Sequence, residues 1–256
     1  MFKYLCVFFI LLLPVAAQVT EVQKPVSGKM IKVFPQDKNL LPYWLYLPQD
    51  YGNTEKKYPV VLFLHGLGER GDTLNAVAKH GITKEIKKGK HFPFIMIAPQ
   101  CANDGSRQNK AAQSFWWKDG PIHKVKNILD FEIKRLKRVD EERVSITGLS
   151  MGGFGSYRMA HLYPSIFAAV APICGHGNSF LDKKEVAHIP FWAFHGDKDN
   201  VIKLADQQKT VDAMKKAGVQ IKFTIYEGVG HNSWSRAYAN PKIYKWLLGQ
   251  KRVKID

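Results

Sequence analysis

The stretch RVSITGLSMGG, residues 143–153, decides the fold of this chain. Its first part contains VSIT, which is rich in β-branched residues and favours a strand. Its second part reads Gly-x-Ser-x-Gly with Ser150 at the centre, and a helical pattern begins at Gly152. Glycines on both sides of the serine leave room for a sharp turn from strand to helix that exposes the hydroxyl. We therefore predict that Ser150 is a nucleophile.

Strand-like and helix-like segments alternate on both sides of this stretch. Short apolar runs, typical of strands buried on both faces of a parallel sheet, occupy residues 58–64, 94–98, 143–147, 168–173, 190–194 and 220–226. Helical patterns occupy residues 123–138, 152–163, 204–217 and 238–248, and two leading strands at 30–34 and 43–47 form an antiparallel edge. This alternation predicts an α/β fold in a single domain, with a mostly parallel, twisted sheet flanked by helices.

A base for Ser150 is expected beyond the last strand. A serine hydroxyl is a poor nucleophile until a base removes its proton, and in sites of this kind the chain order is Ser, then Asp or Glu, then His. Of the nine histidines, only His231 follows the last carboxylate at a strand end. We predict that His231 is the base, and that His65 and His195 hydrogen-bond loop backbone. Five other histidines are predicted to lie at the surface: His80, His91, His123, His161 and His188.

The orienting carboxylate and the oxyanion hole are expected at other strand ends, where open α/β sheets place their chemistry. Asp197 and Asp199 both follow the strand at 190–194, and their spacing does not choose between them. A tetrahedral intermediate also needs two backbone N–H donors. We predict one donor at Met151, directly after the nucleophile, and the other at Leu67, in the loop after the strand at 58–64.

These motifs together resemble those of the α/β-hydrolase superfamily, from about residue 58 to residue 234. LHGLG at 64–68, GLSMGG at 148–153 and HGDKD at 195–199 are similar to dienelactone-hydrolase-like and phospholipase/carboxylesterase-like esterases, and to the feruloyl and acetyl esterases of carbohydrate esterase family one. The resemblance implies that the acid is Asp199, the Asp of His-Gly-x-x-Asp, and that the base is His231. The extension Glu69-Arg70-Gly71 is shared with relatives labelled as predicted peptidases.

A substrate surface is expected in the long loop after the second core strand, which contains SFWW at 114–117. Trp116 and Trp117 would stack on a sugar face or an aromatic acyl group if they are exposed, or pack under the loop as its own core if they are buried. His176 lies in a loop that would border the site. Trp234 is expected to pack and to position the loop that carries His231.

The residues predict a serine carboxylesterase that works through an acyl-enzyme on Ser150, and the resemblance implies that its substrates are acetyl or feruloyl esters of plant or microbial glycans. The alternatives within hydrolases are a lysophospholipase, a thioesterase or a small serine peptidase with the same triad. A binding protein that keeps the fold without activity is the alternative from another class. No motif for a metal, a nucleotide or a redox group accompanies the triad, so no cofactor is expected.

The net charge of +16 does not by itself indicate a nucleic-acid partner. The densest basic run, residues 124–143, is interrupted by five acidic residues and is typical of a solvated helix with i,i+4 pairs. No recognition motif accompanies the charge. The partner expected is therefore an ester substrate, linked to carbohydrate, and not a nucleic acid.

The first 17 residues are predicted to be a signal peptide. Lys3 precedes an apolar run at 5–13, and PVAA at 14–17 supplies small residues for cleavage before Gln18. The run is shorter than the about 20 residues that span a bilayer. We expect a secreted or periplasmic catalytic domain, residues 18–256, without stable membrane insertion. Cys101 and Cys174 would then either form a disulfide or remain two separate thiols.

Overall fold

A single eight-stranded sheet organises the residues that the computed structural model describes, which are 25–103, 114–178 and 181–253. The predicted signal peptide, 1–17, lies outside these residues. The strands, numbered along the chain, are β1 Met30–Val33, β2 Tyr43–Tyr46, β3 Tyr58–Leu64, β4 Ile95–Pro99, β5 Val139–Leu149, β6 Ala169–Ile173, β7 Phe191–Gly196 and β8 Ile221–Tyr226. Their order across the sheet is β1-β2-β4-β3-β5-β6-β7-β8.

The sheet is antiparallel at one edge and parallel elsewhere. β1 pairs with β2, and β2 with β4, in antiparallel register, whereas all pairs from β4 through β3 to β8 are parallel. This is the mostly parallel sheet with an antiparallel leading edge that the sequence predicts. The carboxyl ends of β3, β5, β6 and β7 therefore meet at the same edge of the sheet, which is where the candidate site lies.

Helices cover both faces of the sheet. They are α1 Gly81–Lys87, α2 Asp119–Arg135, α3 Met151–Leu162, α4 Leu204–Lys216, α5 Ser233–Ala239 and α6 Pro241–Gly249, with short 3-10 helices at Tyr51–Asn53, Leu67–Glu69 and Leu74–Lys79. Among the described residues, no helix combines the length and the apolar character that crossing a membrane requires.

The central strand β3 explains why both faces must be covered. All seven of its residues are buried. Alternate side chains of a strand point to opposite faces, and here Val60, Leu62 and Leu64 join the core cluster under α2 and α3, whereas Val61 and Phe63 join the one under α1, α5 and α6. A continuous apolar run thus predicts a buried central strand, because the side chains on both faces of such a strand pack against core and must be apolar.

Two predicted elements differ from the structure. The helix predicted at 238–248 is two helices, because Asn240 is extended, caps Lys242 N with its side chain, and precedes Pro241, which starts a new helix. The segment 220–226 was predicted as a strand buried on both faces, and this is wrong. β8 is the edge of the sheet and none of its residues is fully buried.

The turn between β5 and α3 brings three backbones into close contact. A Cβ atom added to Gly152 would lie 1.9 Å from the carbonyl oxygen of Leu64 in β3, and one added to Gly148 would lie 2.3 Å from the carbonyl oxygen of Gly152. Backbone atoms of a central strand cannot move aside cheaply. Both glycines of the Gly-x-Ser-x-Gly motif are therefore required by packing.

Replacement of Gly152 by alanine should destabilise the fold by about 3 kcal/mol or more, because the new methyl group overlaps rigid backbone. The matched control is Gly120→Ala in the first turn of α2, where an added Cβ meets nothing within 4 Å. Chemical denaturation followed by circular dichroism measures both. A midpoint for Gly152→Ala equal to that of Gly120→Ala would contradict the packing argument.

Candidate active site

The structure brings Ser150, Asp199 and His231 into one hydrogen-bonded chain at the carboxyl edge of the sheet. Nε2 of His231 lies 2.9 Å from Oγ of Ser150, and Nδ1 of His231 lies 2.7 Å from Oδ2 of Asp199. The three residues come from the turn after β5, the loop after β7 and the loop after β8. This is the geometry of a nucleophile, a base and an orienting acid.

Ser150 occupies a strained turn. Its φ of 52° and ψ of −114° are rare for a residue with a side chain, and such strain costs about 1–3 kcal/mol. The backbone N–H of Ser150 donates to the carbonyl of Ile173 at 2.9 Å, and α3 begins at the next residue. The turn therefore holds the hydroxyl at the start of a helix, where the amides favour negative charge.

The carboxylate of Asp199 is buried and fully hydrogen-bonded. Oδ1 accepts the backbone N–H groups of Val201 at 2.9 Å and Ile202 at 3.0 Å, and Oδ2 lies 2.7 Å from Nδ1 of His231 and 3.2 Å from Nε2 of His195. Burial acts to raise the pKa of Asp199, but the hydrogen bonds from His231 and from the two backbone amides outweigh it and lower the pKa below its usual value. The group is therefore an anion that only accepts.

An ionised Asp199 fixes the tautomer of the base. Because the carboxylate only accepts, Nδ1 of His231 carries the proton and Nε2 is left to accept the hydroxyl proton of Ser150. The other candidate acid, Asp197, has its carboxylate 3.9 Å from Nζ of Lys198 instead. Asp199 is thus the residue that contacts the base, as the resemblance implied.

His195 supports the same carboxylate from within the protein. It is fully buried, and its Nε2 lies 2.9 Å from the carbonyl oxygen of Ile202 and 3.2 Å from Oδ2 of Asp199. Both partners accept, so Nε2 carries a proton, and Nδ1 lies against Oε1 of Gln207. The predicted contact with loop backbone is confirmed, and the contact with Asp199 is one that spacing did not indicate.

The predicted oxyanion donors lie at two helix starts beside Ser150. Met151 is the first residue of α3, and Leu67 is the first residue of the 3-10 helix that follows β3. Backbone N–H groups at such positions have no acceptor within the helix and are available to an anion. Leu67 lines the cavity with Ser150, whereas the Met151 side chain is buried. Their role as donors stays a prediction.

A cavity of about 320 Å³ opens over the serine. It is lined by Gly66, Leu67, Gly68, Glu69, His80, Leu149, Ser150, Val201, His231 and Trp234. The ring of Trp234 lies 5.3 Å from that of His231, edge to face, and 5.6 Å from that of His80. Trp234 therefore packs against the base, as predicted, and also forms cavity wall.

Three cavity residues were not identified from the sequence. His80, predicted at the surface, has a side chain that is 35% exposed, and it also forms part of the cavity wall next to Trp234 at the end of the short helix Leu74–Lys79. Glu69 and Val201 were not assigned a role. The signal available for Glu69 was its position two residues after the predicted donor Leu67.

The three residues predicted to bind substrate differ in burial and in the residues that they contact. Trp116 is fully buried and donates from Nε1 to the carbonyl oxygen of His65 at 3.0 Å, so the stacking role is wrong for it and it packs under the loop. Trp117 is 37% exposed and stacks on Phe115 with a centroid distance of 4.5 Å. His176 packs on Phe154 and is absent from the described lining of the Ser150 cavity.

The two cysteines are buried thiols in different core clusters, so the disulfide alternative is wrong. Cys101 lies in the cluster that contains Trp116, and Cys174 lies in the cluster on the other face of the sheet. Burial raises the pKa of Cys174 to about 12.

The described residues also contain no group of His, Cys, Asp and Glu side chains that could hold a metal ion.

His65 is a buried neutral histidine at the end of β3. Its Nδ1 lies 2.6 Å from the carbonyl oxygen of Gly66, and its Nε2 accepts the backbone N–H of Cys101 at 3.0 Å. If Nε2 were also protonated, its N–H would point at the backbone N–H of Cys101, and two donors would face each other. Burial lowers the pKa of His65 to about 4. The predicted contact with loop backbone is confirmed.

Comparisons with known proteins bear on this site. Residues 53–242 match the Dienelactone hydrolase family. The Arabidopsis thaliana protein "Carboxylesterase SOBER1" is 26% identical over 196 residues, which cover 67% of this chain and 82% of that protein. The "Bifunctional acetylxylan esterase/xylanase XynS20E" of Neocallimastix patriciarum is 24% identical, over 79% of this chain and 28% of that protein. A solved thermostable esterase is 29% identical with a TM-score of 0.70, over 89% of this chain and 64% of its own.

A second solved structure shares the fold. It is named a ferulic acid esterase, is 22% identical with a TM-score of 0.65, and the match covers 86% of this chain and 98% of that chain. The matches thus cover most of Carboxylesterase SOBER1 and of the ferulic acid esterase, slightly less than two thirds of the thermostable esterase, and 28% of the acetylxylan esterase/xylanase.

Replacement of Asp199 by asparagine should lower kcat on 4-nitrophenyl acetate by about 10³- to 10⁴-fold, because the amide no longer fixes the tautomer of His231 or stabilises its cation. The matched control, Asp197→Asn, removes a carboxylate two residues away and should keep most of the activity. Steady-state kinetics of both variants measure the difference. Comparable losses in the two variants would sink the assignment of the acid.

The stability of the protein should fall as the pH falls from about 6.5 to about 4, because the unfolded chain binds a proton at His65 in that range and the folded chain does not. Full protonation of the unfolded state costs the fold about 3 kcal/mol from this residue. His65→Gln keeps an acceptor for Cys101 N–H without a titrating group. Urea unfolding of both proteins at pH 7.5 and pH 4.5 should show the smaller change for His65→Gln, and equal changes would refute the argument.

Proposed function

This chain belongs to the dienelactone hydrolase family and is a carboxylic-ester hydrolase. From that premise we propose that it is an exported serine esterase that removes acetyl or feruloyl groups from plant or microbial glycans. The observation that carries the proposal is the hydrogen-bonded chain from Ser150 through His231 to Asp199, with distances of 2.9 and 2.7 Å, at the floor of an open cavity.

The first half of the proposed reaction forms an acyl-enzyme. Oγ of Ser150 attacks the ester carbonyl carbon while its proton passes to Nε2 of His231, and Asp199 stabilises the imidazolium. The backbone N–H groups of Leu67 and Met151 receive the negative charge that develops on the carbonyl oxygen. The intermediate then collapses, and the leaving alcohol takes the proton from His231.

The second half releases the acid and restores the serine. A water molecule gives a proton to Nε2 of His231 and attacks the acyl carbonyl carbon. The oxygen of Ser150 leaves, takes back the proton, and the carboxylic acid departs. Every proton that moves is thus held at one nitrogen, which Asp199 keeps facing the serine.

The choice of a small or aromatic acyl group on a glycan is supported by relatives and by the cavity. One relative is named an acetylxylan esterase, and structures of the same fold are named ferulic acid esterases. The cavity wall contains Glu69 and His80 beside Trp234. Polar groups in a cavity of about 320 Å³ disfavour a long alkyl chain, because burying them against it leaves them without hydrogen bonds. This argues against the lysophospholipase alternative.

Export is proposed from the leader alone, with its Lys3, its apolar run at 5–13 and its small residues before Gln18. The basic surface implied by a net charge of +16 fits an enzyme that approaches anionic polymers outside the cell. N-terminal sequencing of the protein recovered outside the cytoplasm distinguishes cleavage before Gln18 from retention.

The substrate assignment is checked with acetylated xylan fragments, methyl ferulate, 4-nitrophenyl acetate and 4-nitrophenyl laurate. The acetyl or feruloyl esters should have a higher kcat/KM than the laurate ester, because the cavity is short and partly polar. Ser150→Ala should lower hydrolysis of all of them by at least about 10³-fold.

Two results would count against the proposal. A preference for the laurate ester would move the function toward lipids, and activity that survives Ser150→Ala would remove the nucleophile assignment. Circular dichroism of Ser150→Ala serves as the control that the variant is folded.

A further inference from the structure

Glu69 places a carboxylate in the wall of the cavity that contains Ser150. It is the last residue of the short helix Leu67–Glu69, and its side chain is 8% exposed. Among the described residues no hydrogen bond reaches this carboxylate. Its Oε1 lies 3.7 Å from Nε2 of His80, which is longer than a hydrogen bond. A buried carboxylate without donors is costly, and a ligand that donates to it removes that cost.

The carboxylate is a built part of the wall. The buried side chain of Gln100 donates from Nε2 to the carbonyl oxygen of Glu69 at 2.9 Å and to that of Thr73 at 3.0 Å, which fixes the backbone. Oε2 lies so close to Gly66 that a Cβ there would be 2.9 Å away. The backbone is thus held by Gln100, and the carboxylate lies beside the Gly66 backbone in the wall of the cavity, with its side chain 8% exposed.

The place of Glu69 along the chain brings it near the ester bond. It lies two residues after Leu67, the predicted oxyanion donor, and shares one small cavity with Ser150 and His231. A group that reaches Glu69 is therefore close to the scissile ester. A hydroxyl beside the esterified position of a sugar ring meets this condition, whereas the phenol at the far end of a feruloyl group does not.

The charges around Glu69 favour a neutral donor over a cation. Lys84 and Lys88, together with Glu85, line an adjoining cavity of about 220 Å³ that shares His80 and Trp234. The two ammonium groups outnumber the carboxylate there and disfavour a further cation, whereas a hydroxyl donates without bringing charge.

We propose that Glu69, with His80 beside it, is a specificity-determining residue that accepts a hydrogen bond from a free sugar hydroxyl next to the ester. The inference rests on the proposed function, since it names the substrate class of the same site. It makes the enzyme selective for partially esterified sugars over esters of simple alcohols with the same ring size.

The test compares three acetates of six-membered-ring alcohols: a monoacetylated methyl xylopyranoside, cyclohexyl acetate and 4-aminocyclohexyl acetate. Each kcat/KM is divided by the rate of hydroxide-catalysed hydrolysis of the same ester, which removes differences in intrinsic reactivity. The wild-type enzyme should prefer the xyloside to cyclohexyl acetate by about 10- to 100-fold, as expected for a hydrogen bond to a buried charged group.

Two variants identify the residue responsible. Glu69→Gln keeps the shape and removes the charge, and it should lower the xyloside preference by about tenfold or more. The matched control is Glu55→Gln, which makes the same change at a side chain 96% exposed, in the loop before the opposite end of β3. It should leave the preference unchanged. The wild-type ratio tests the inference even if Glu69→Gln does not fold.

The outcomes separate this inference from the proposed function. Ser150-dependent hydrolysis of cyclohexyl acetate without a preference for the xyloside overturns the inference alone. The same holds for a preference that Glu69→Gln leaves intact, or for the aminocyclohexyl ester as the best substrate, which would mean that the carboxylate selects a cation. If the wild-type enzyme hydrolyses none of the three esters, the proposed function fails and the inference with it.

Discussion

The close contact between Gly152 and the carbonyl of Leu64 is the constraint on which the site depends. It lets α3 begin directly against β3, next to the strained turn at Ser150. That turn holds the hydroxyl 2.9 Å from Nε2 of His231. The contact between Gly152 and Leu64 also places the first turn of α3, with the backbone amide of Met151, beside the loop that follows β3. Nucleophile and predicted oxyanion donors are thus positioned by one backbone contact in the core, which no loop rearrangement can easily disturb.

The acid and the base depend on a second constraint, the satisfaction of a buried charge. Asp199 is stable as an anion at the end of β7 only because two backbone amides, His195 and His231 together surround its oxygens. A loop conformation without these hydrogen bonds would expose or neutralise the carboxylate of Asp199, and the imidazole of His231 would lose its fixed tautomer. The hydrogen bonds that satisfy the buried carboxylate are therefore also the ones that orient the base.

Residues whose position follows from the sheet could be predicted, and residues whose position follows from loop packing could not. The strand Tyr58–Leu64 and the order of Ser150, Asp199 and His231 are visible because apolar runs mark the strands and chemistry collects at their ends. Neighbouring tryptophans look alike in the sequence, yet Trp116 is buried and Trp117 is partly exposed, since the loop they share folds over the core. Glu69 was missed because a charged residue in a turn is ordinarily solvated, and only the tertiary fold buries it.

In the wall of the cavity, Trp234 lies between the Glu69–His80 pair, which would select the substrate, and His231, the base. The ring of Trp234 contacts both His80 and His231, so the polar pair formed by Glu69 and His80 lies one side chain away from the base. The proposed reaction at Ser150 would use the predicted backbone donors and the triad, which any ester can engage, whereas Glu69 would be engaged only by a substrate that brings a donor. Hydrogen bonding at that carboxylate removes its desolvation cost only when the ester is seated beside Ser150. Under the proposed specificity, binding energy from a sugar hydroxyl would be available for positioning the ester for attack, so that a small cavity could select its substrate through one buried carboxylate.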